Sequence, residues 1–324
     1  MDTLELISDK ILQHNDFILL GHVEPDGDCI GSLFSLKWAL DKLGKNSLVL
    51  LDSPPEERFG FLSIGDDDYR LFEQFKPDLA DGAEAVYIAL DAGDLDRLGP
   101  GKELLSNHFL INIDHHPGNP GYGNLNYINP EMAAVGEILY YLFLEMGLSL
   151  EQKIGSGLAL AIISDTGGFR YQNTRAATYR IMAELTEVGV DIYRLNQGIY
   201  GNYSYQSLKL KGLVLANLEL SREQKTAWII VNRAMLEETG AAPEDVTGLV
   251  SYARDIRGVE VGVIFVEIAP REIKVGLRSK QYCPVNQIAA FFGGGGHVRA
   301  AGCKIKKELA QTVDLVLSKV QDYV

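Results

Sequence analysis

Continuous apolar runs alternate with segments of helical periodicity along the first 190 residues of the chain. The short apolar runs predict strands that are buried on both faces of a parallel sheet, at residues 17–20, 47–51, 86–90 and 109–113. Apolar residues at a spacing near 3.6 predict helices at about 30–43, 135–146, 151–163 and 175–187. This alternation predicts an α/β fold with a mostly parallel, doubly wound sheet that is covered on both sides.

A second pattern begins after residue 225, and it predicts a smaller α/β domain with its own core. The predicted strands are 227–231, 259–268 and 272–278, and the last two form a hairpin across Ala269-Pro270. Helices are expected near 244–253, 285–292 and 307–320. The predicted organisation is therefore a catalytic domain at 1–190, a helical linker at 191–225 and a second domain at 226–324, with the active site in a cleft between the domains.

Composition narrows the class of protein. At 324 residues, 46% hydrophobic and 23% charged, the chain resembles a soluble protein of two ordinary domains. We expect no membrane span, because no apolar run approaches about 20 residues, and no secretion signal, because the first residues are acidic and helix-like. Three cysteines without CxxC spacing argue against a disulfide framework and a zinc-thiolate site. These features favour a cytoplasmic location.

The net charge of −14 is unevenly distributed. Residues 1–190 contain 13 Lys and Arg against 30 Asp and Glu, whereas residues 191–324 contain 17 against 14. The acidic half suits divalent cations, and the slightly basic half is the better candidate for binding phosphate. Neither half has the basic stripe that a protein bound to long duplex DNA needs.

Carboxylate and imidazole side chains follow four of the apolar segments. His22, Asp26 and Asp28 follow the first predicted strand, and Asp91 follows a second. Asp114, His115 and His116 end a third strand, and Asp165 ends the apolar stretch of a predicted helix. Ligands bind at the carboxyl ends of strands in such sheets, and Asp and His sets without cysteine favour Mn²⁺ or Mg²⁺. Taken alone, Asp26 and Asp28 could instead be turn formers or helix N-caps.

Two metal ions are expected rather than one. Six ligands exceed what one open catalytic site takes, and they are His22, Asp26, Asp28, Asp91, His115 and Asp165. Two cations that share a carboxylate and a water are an arrangement used to hydrolyse phosphate esters by direct attack of the bridging hydroxide. The chain contains neither a GxSxG elbow nor a GxxxxGK[ST] loop.

The four segments resemble the motifs of the DHH phosphoesterase superfamily. The motifs are residues 22–32 (HVEPDGDCIGS), 90–94 (LDAGD), 114–116 (DHH) and 164–167 (SDTG). Residues 291–302 (FFGGGGHVRAAG) resemble the signature of the DHH-associated C-terminal domain. The length and domain content are most similar to the nanoRNase/pAp phosphatase subfamily, which degrades very short oligoribonucleotides and dephosphorylates 3′-phosphoadenosine 5′-phosphate (pAp).

The resemblance implies a role for each motif residue. His22 and Asp26 would bind one metal, Asp28, His115 and Asp165 the other, and Asp91 would bridge the two. Asp114 would orient His115, and His116 would face the substrate phosphate or make a structural hydrogen bond.

The residues expected to contact substrate lie near the C-terminus. Residues 293–297 (GGGGH) predict a loop whose amides, including those of Gly295 and Gly296, can approach an anion. With Arg278, Ser279 and His297 the loop forms a candidate phosphate clamp, and the resemblance places substrate recognition there. Arg257 and Arg299 are weaker candidates for the clamp, and Tyr282 and Phe292 could stack on a base or pack in the core.

Several alternatives remain open. The same site could hydrolyse cyclic dinucleotides or linear dinucleotides, and a non-catalytic nucleotide sensor would belong to another class. A RecJ-like exonuclease would carry further domains, and a family II pyrophosphatase would lack the GGGGH segment. The sequence leaves open the preferred substrate, the polarity of degradation, the metal and assembly as a homodimer.

Overall fold

The computed structural model describes residues 3–75, 85–106 and 108–324. The chain divides into two compact units, Met1–Asn202 and Tyr203–Val324. The boundary falls within the segment 191–225 that the sequence suggested as a linker. A short helix and a π-helical turn of that segment belong to the first unit, and a longer helix and a short strand belong to the second.

The first unit contains six strands and six α-helices within the described residues. The strands are β1 (Asp16–Leu20), β2 (Asn46–Leu51), β3 (Tyr69–Leu71), β4 (Val86–Leu90), β5 (Phe109–Asp114) and β6 (Leu125–Ile128). The helices are α1 (Thr3–Gln13), α2 (Gly27–Lys42), α3 (Val135–Glu145), α4 (Gln152–Asp165), α5 (Ala176–Glu187) and α6 (Ile192–Asn196). Glu57–Leu62, Phe72–Gln74 and Leu95–Leu105 are 3₁₀ segments, and Gln197–Gly201 is the π-helical turn.

The six strands form one parallel sheet in the order β3-β2-β1-β4-β5-β6. Successive side chains of each strand point to opposite faces, and both faces are buried. Leu19 and Ile88 pack in the large core that includes helices α2, α3 and α4. Leu20 and Ala89 pack on the other face against Leu98. The predicted α/β class and the coverage of both faces are confirmed. Among the described residues, 3₁₀ segments rather than long helices pack on the second face.

The second unit has a mixed six-stranded sheet in the order β11-β12-β10-β9-β8-β7. Its strands are β7 (Glu219–Leu220), β8 (Thr226–Val231), β9 (Val261–Ala269), β10 (Glu272–Ser279), β11 (Gly295–His297) and β12 (Ala300–Ile305). Its α-helices are α7 (Tyr205–Ala216), α8 (Arg233–Thr239), α9 (Val250–Arg254), α10 (Val285–Phe291) and α11 (Leu309–Gln321), and Pro243–Val246 is a 3₁₀ turn.

Each face of this second sheet has its own core. Val263 and Phe265 of β9 point towards α10 and α11, whereas Ile264 and Val266 point towards α7 and α9. The predicted hairpin is confirmed, since β9 and β10 are antiparallel. The expected linker helix α7 buries Leu210 in this domain.

Three predictions were wrong in detail. Helix α2 begins at Gly27, three residues earlier than expected, because Asp26 caps it. The helix predicted at 244–253 is interrupted at Gly248, whose φ of 82° is not helical. The glycine loop is in part a strand, since Gly295–His297 pair with Ala300–Gly302. Among the described residues, no helix is both long and apolar enough to cross a bilayer.

Candidate metal centre

The candidate ligands lie at the point where the winding of the first sheet reverses. The chain proceeds outwards from β1 to β3 in one direction and from β4 to β6 in the other, so β1 and β4 are neighbours at the switch point. His22 follows β1, Asp91 follows β4, and His115 follows β5. Crevices of this kind, outside the carboxyl ends of strands, are where open α/β sheets bind ligands.

Asp91 occupies the centre of the cluster. Its side chain is 4% exposed, and its two oxygens face different histidines: Oδ2 lies 3.6 Å from Nε2 of His22, and Oδ1 lies 3.6 Å from Nε2 of His115. The backbone of Asp91 is left-handed, with φ of 57°, a conformation in which Asp and Asn are enriched among residues other than glycine. One carboxylate therefore separates two groups of donors.

His22 and Asp26 form the first group. Nε2 of His22 is 3.8 Å from Oδ1 of Asp26, and Nδ1 lies 2.8 Å from the carbonyl of Val23. Oδ1 of Asp26 also accepts hydrogen bonds from the amides of Asp28 and Cys29 and so caps helix α2. The helix-cap role and the ligand role are thus compatible in one side chain.

His115, Asp28 and Asp165 form the second group. Nε2 of His115 lies 3.2 Å from Oδ2 of Asp165 and 3.7 Å from Oδ2 of Asp28. Asp28 is fully buried, and its carboxylate accepts hydrogen bonds from the first amides of helix α3, at Val135 (2.7 Å) and Gly136 (3.2 Å). The unsatisfied amides of a helix N-terminus stabilise a buried carboxylate.

Asp165 ends a helix rather than a strand, and close packing of two helices brings it to the second group of donors. Helices α2 and α4 touch at Gly31 and Gly157. A Cβ on Gly31 would lie 2.4 Å from the carbonyl oxygen of Gly157, and a Cβ on Gly157 would lie 2.7 Å from that of Gly31. The absence of both side chains lets the start of α2, with Asp28, meet the end of α4.

Asp114 orients His116 rather than His115. Its Oδ1 accepts hydrogen bonds from Nδ1 of His116 (2.7 Å) and from the amide of His115 (2.8 Å), and its Oδ2 accepts one from Asn119 (2.7 Å). Nδ1 of His115 instead lies 3.2 Å from the carbonyl of Met132. The expectation that Asp114 orients the His115 ring was wrong, because adjacent residues at the end of β5 point in different directions.

The cluster contains a surplus of buried negative charge. Burial raises the pKa of Asp28 well above its ordinary value, and the charges of Asp91 and Asp165 raise it further. Burial also raises the pKa of Asp91. Burial would lower the pKa of His22, but its hydrogen bonds with Asp26 and Asp91 raise it to about 10. These shifts show that the cluster stabilises positive charge, whether it is supplied by protons or by cations.

The donor set fits divalent metal ions. Oxygen and imidazole donors suit Mn²⁺ and Mg²⁺, and two ligands that share one such ion lie about 3–3.5 Å apart. The separations of 3.2–3.8 Å between these donors are close to that spacing. The buried thiol of Cys29 lies within 4.8 Å of the His22 and Asp91 donor atoms, a proximity that no spacing in the sequence indicates.

Two of the expected substrate residues share a face of the second sheet. Arg278 on β10 pairs with Ala300 on β12, and Ala300 pairs with His297 on β11. Residues directly opposite each other in antiparallel strands project to the same face, and strands are about 4.8 Å apart. Arg278 and His297 are therefore about 10 Å apart on one face. Gly295 and Gly296 lie on the same exposed edge strand.

Ser279 has a different environment from the exposed edge. It is buried, and its hydroxyl donates a hydrogen bond to the carbonyl of Cys283 (2.6 Å). Nη1 of Arg299 donates to the same carbonyl (2.9 Å). Arg257 is exposed on the turn between α9 and β9.

A buried carboxylate that sequence reasoning missed shapes the neighbouring loop. Glu260 is 4% exposed and accepts hydrogen bonds from the amides of Gln281, Tyr282 and Cys283 at 2.7–3.2 Å. The loop presents the Tyr282 ring, which is 52% exposed. Phe292, the other stacking candidate, packs against the core of this sheet. No sequence signal distinguishes Glu260 from a surface glutamate, because its partners are main-chain amides.

Comparison with known families identifies the family to which the chain belongs. Residues 16–162 match the DHH family, N-terminal domain, and residues 220–324 match the DHHA1 domain. A curated relative from Thermus thermophilus, named bifunctional oligoribonuclease and PAP phosphatase NrnA, is 33% identical over 93% of this chain and 88% of its own length. The chain belongs to the DHH family. The NrnA of Bacillus subtilis is 29% identical over 90% of both chains.

Solved structures agree with this membership. An exopolyphosphatase-related protein from Bacteroides fragilis superposes with a TM-score of 0.92 and 26% identity, over 99% of this chain and 96% of its own. RecJ from Thermus thermophilus, solved in complex with Mn²⁺, has a TM-score of 0.55 at 15% identity and covers 99% of this chain and 54% of its own. The RecJ likeness shows the fold alone. The resemblance to DHH phosphoesterases that the four motifs predicted is confirmed.

Proposed function

We propose that this DHH-family protein is a metal-dependent phosphohydrolase that degrades short oligoribonucleotides to mononucleotides and removes the 3′-phosphate of pAp. The observation that carries the proposal is the arrangement at Asp91, whose two oxygens face His22 on one side and His115 on the other. Relatives that match most of this chain are named for both activities.

The two groups of donors suggest which residues would hold each cation. His22 and Asp26 would hold one cation, Asp28, His115 and Asp165 the other, and Asp91 would contact both. Two divalent cations held by these residues, which we propose to be Mn²⁺, would supply an acidified water and would neutralise charge on the phosphate oxygens. Asp114 holds the ring of His116 by its Nδ1, so the opposite edge of the imidazole is fixed for a contact with substrate phosphate.

The second unit would supply substrate selection. Arg278 and His297 lie in one cross-strand row, and their spacing of about 10 Å suits two phosphate or sugar-phosphate groups of one short substrate. Glu260 fixes the loop that carries Tyr282, which offers an exposed ring for base stacking. We infer that this surface favours short single-stranded substrates.

A substrate panel tests the proposal. The protein with Mn²⁺ is incubated with two- to five-nucleotide RNAs, pAp, linear pApA and cyclic di-AMP, and products are separated by chromatography. We expect turnover of the RNAs and pAp that EDTA abolishes and excess Mn²⁺ restores. Rapid hydrolysis of cyclic di-AMP with little turnover of pAp would favour a cyclic-dinucleotide phosphodiesterase. Binding of these ligands without turnover would favour a nucleotide sensor.

A further inference from the structure

Arg97 is fixed beside the His22 end of the metal centre. It lies in the 3₁₀ segment Leu95–Leu105 that follows β4. Asp94 caps this segment by accepting a hydrogen bond from the Arg97 amide (3.0 Å), and the Arg97 carbonyl accepts one from the Val23 amide (2.8 Å). The main chain of Arg97 is therefore joined directly to the loop that carries His22.

The guanidinium of Arg97 lies beside a ring nitrogen that is already paired with a carbonyl. Nη2 of Arg97 lies 3.3 Å from Nδ1 of His22, and the carbonyl of Val23 lies 2.8 Å from the same atom. A carbonyl oxygen can only accept a hydrogen bond, so Nδ1 of His22 carries a proton and donates to Val23. The ring nitrogen therefore offers no acceptor to the guanidinium beside it. A cation held at Nε2 of His22 would leave this arrangement unchanged.

The two neighbouring carboxylates of the same segment have other partners. Asp94 uses Oδ1 on the Arg97 amide, and Asp96 forms a salt bridge with Lys102. Within the part of the chain that the structure describes, the guanidinium forms no salt bridge, and its polar side-chain neighbour is Nδ1 of His22 at 3.3 Å. A guanidinium at a site for phosphate esters presents a planar set of donors that matches phosphate oxygens.

We propose that Arg97 binds a phosphate group of the substrate at the His22 side of the metal centre. The proposal rests on the proposed function, since it requires a phosphate-bearing ligand at these cations. Because Nδ1 of His22 donates to Val23, the guanidinium beside the ring remains available for a substrate phosphate when Nε2 holds a cation.

Binding of inorganic phosphate tests this role separately from turnover. Arg97→Ala, Arg97→Lys and the wild type are loaded with Mn²⁺ and titrated with inorganic phosphate by calorimetry. Metal content is measured in parallel by elemental analysis. We expect Arg97→Ala to bind phosphate about 10- to 100-fold more weakly, with unchanged metal content and the same midpoint of thermal unfolding. Arg97→Lys should lose less, and Arg180→Ala, at an exposed position on α5, should match the wild type.

Kinetics add a second readout. The value of kcat/KM for pAp should fall in Arg97→Ala, and added guanidinium ion should restore part of it. Equal phosphate affinity in Arg97→Ala and wild type would overturn the proposal. Loss of metal in step with loss of phosphate binding would also overturn it, because Arg97 would then only support His22. A wild type that binds phosphate in an Arg97-dependent way but hydrolyses neither pAp nor RNA would refute the proposed function alone.

Discussion

Asp91→Asn is the sharpest test of a metal centre in which one carboxylate contacts both cations. The amide has the size of the carboxylate and tolerates the left-handed backbone at φ of 57°. Alanine would add about 1–2 kcal/mol of backbone strain at this position and would mix two effects. Asp91→Asn therefore removes one charge between His22 and His115 and changes little else.

The expected fall in kcat follows from the position of Asp91 between the two groups of donors. Loss of one group that stabilises transition-state charge reduces kcat by about 10²–10³. Since Asp91 faces both donor groups, we expect a fall of at least about 10³ with pAp. We also expect fewer than two Mn²⁺ per chain by elemental analysis. Burial raises the pKa of the carboxyl, so the neutral amide should leave the metal-free midpoint of thermal unfolding no lower than that of the wild type.

Thermal unfolding with and without Mn²⁺ completes the assay. Metal at 100 times its Kd stabilises the folded state by about 2.7 kcal/mol, which is about 5–10 °C for a unit of this size. The wild type should show this shift, and Asp91→Asn should lose most of it. Asp96→Asn, an exposed position in the same segment, is the matched control. A folded Asp91→Asn protein with full metal content and activity within tenfold of wild type would refute the shared-carboxylate centre.

Three further changes probe the supports of the site. Asp114→Asn should retain metal but lower kcat about 10- to 100-fold, because it weakens the hydrogen bond that fixes His116; metal loss equal to that of His115→Ala would contradict this. Gly31→Ala should lower the free energy of unfolding by about 1–3 kcal/mol in urea, since the methyl group meets α4, and unchanged stability would count against the close packing. Glu260→Gln should raise KM for pAp more than it lowers kcat, because the loop carrying Tyr282 loosens; a pure kcat effect would disagree.

The sequence predicted those parts of the centre whose positions are determined by neighbouring residues in the chain. Apolar runs identify the strands, and Asp91 and His115 follow directly from the rule that ligands bind beyond strand ends. The charged and glycine-rich motifs also pointed to the family. The positions of the motifs along the chain were sufficient to predict that they meet, because the carboxyl ends of parallel strands lie at one edge of the sheet.

The remaining features depend on contacts between distant segments. The support of Asp28 by the α3 N-terminus joins residues more than 100 positions apart, and no local pattern encodes it. The GGGGH segment reads locally as a loop, yet pairing with β12 makes Gly295–His297 a strand. Glu260 and Arg97 were missed for the same reason, since their partners are a main-chain loop and a histidine on another segment.

The origin of Asp165 has a consequence for biosynthesis. This carboxylate is 143 positions after His22 in the chain and reaches His115 only when α4 lies against α2. A nascent chain that ends before α4 can form β1, β4 and β5 but lacks this donor. Catalytic competence would therefore emerge only after most of the first unit has left the ribosome. A truncated chain released before α4 is made would be unable to assemble the centre.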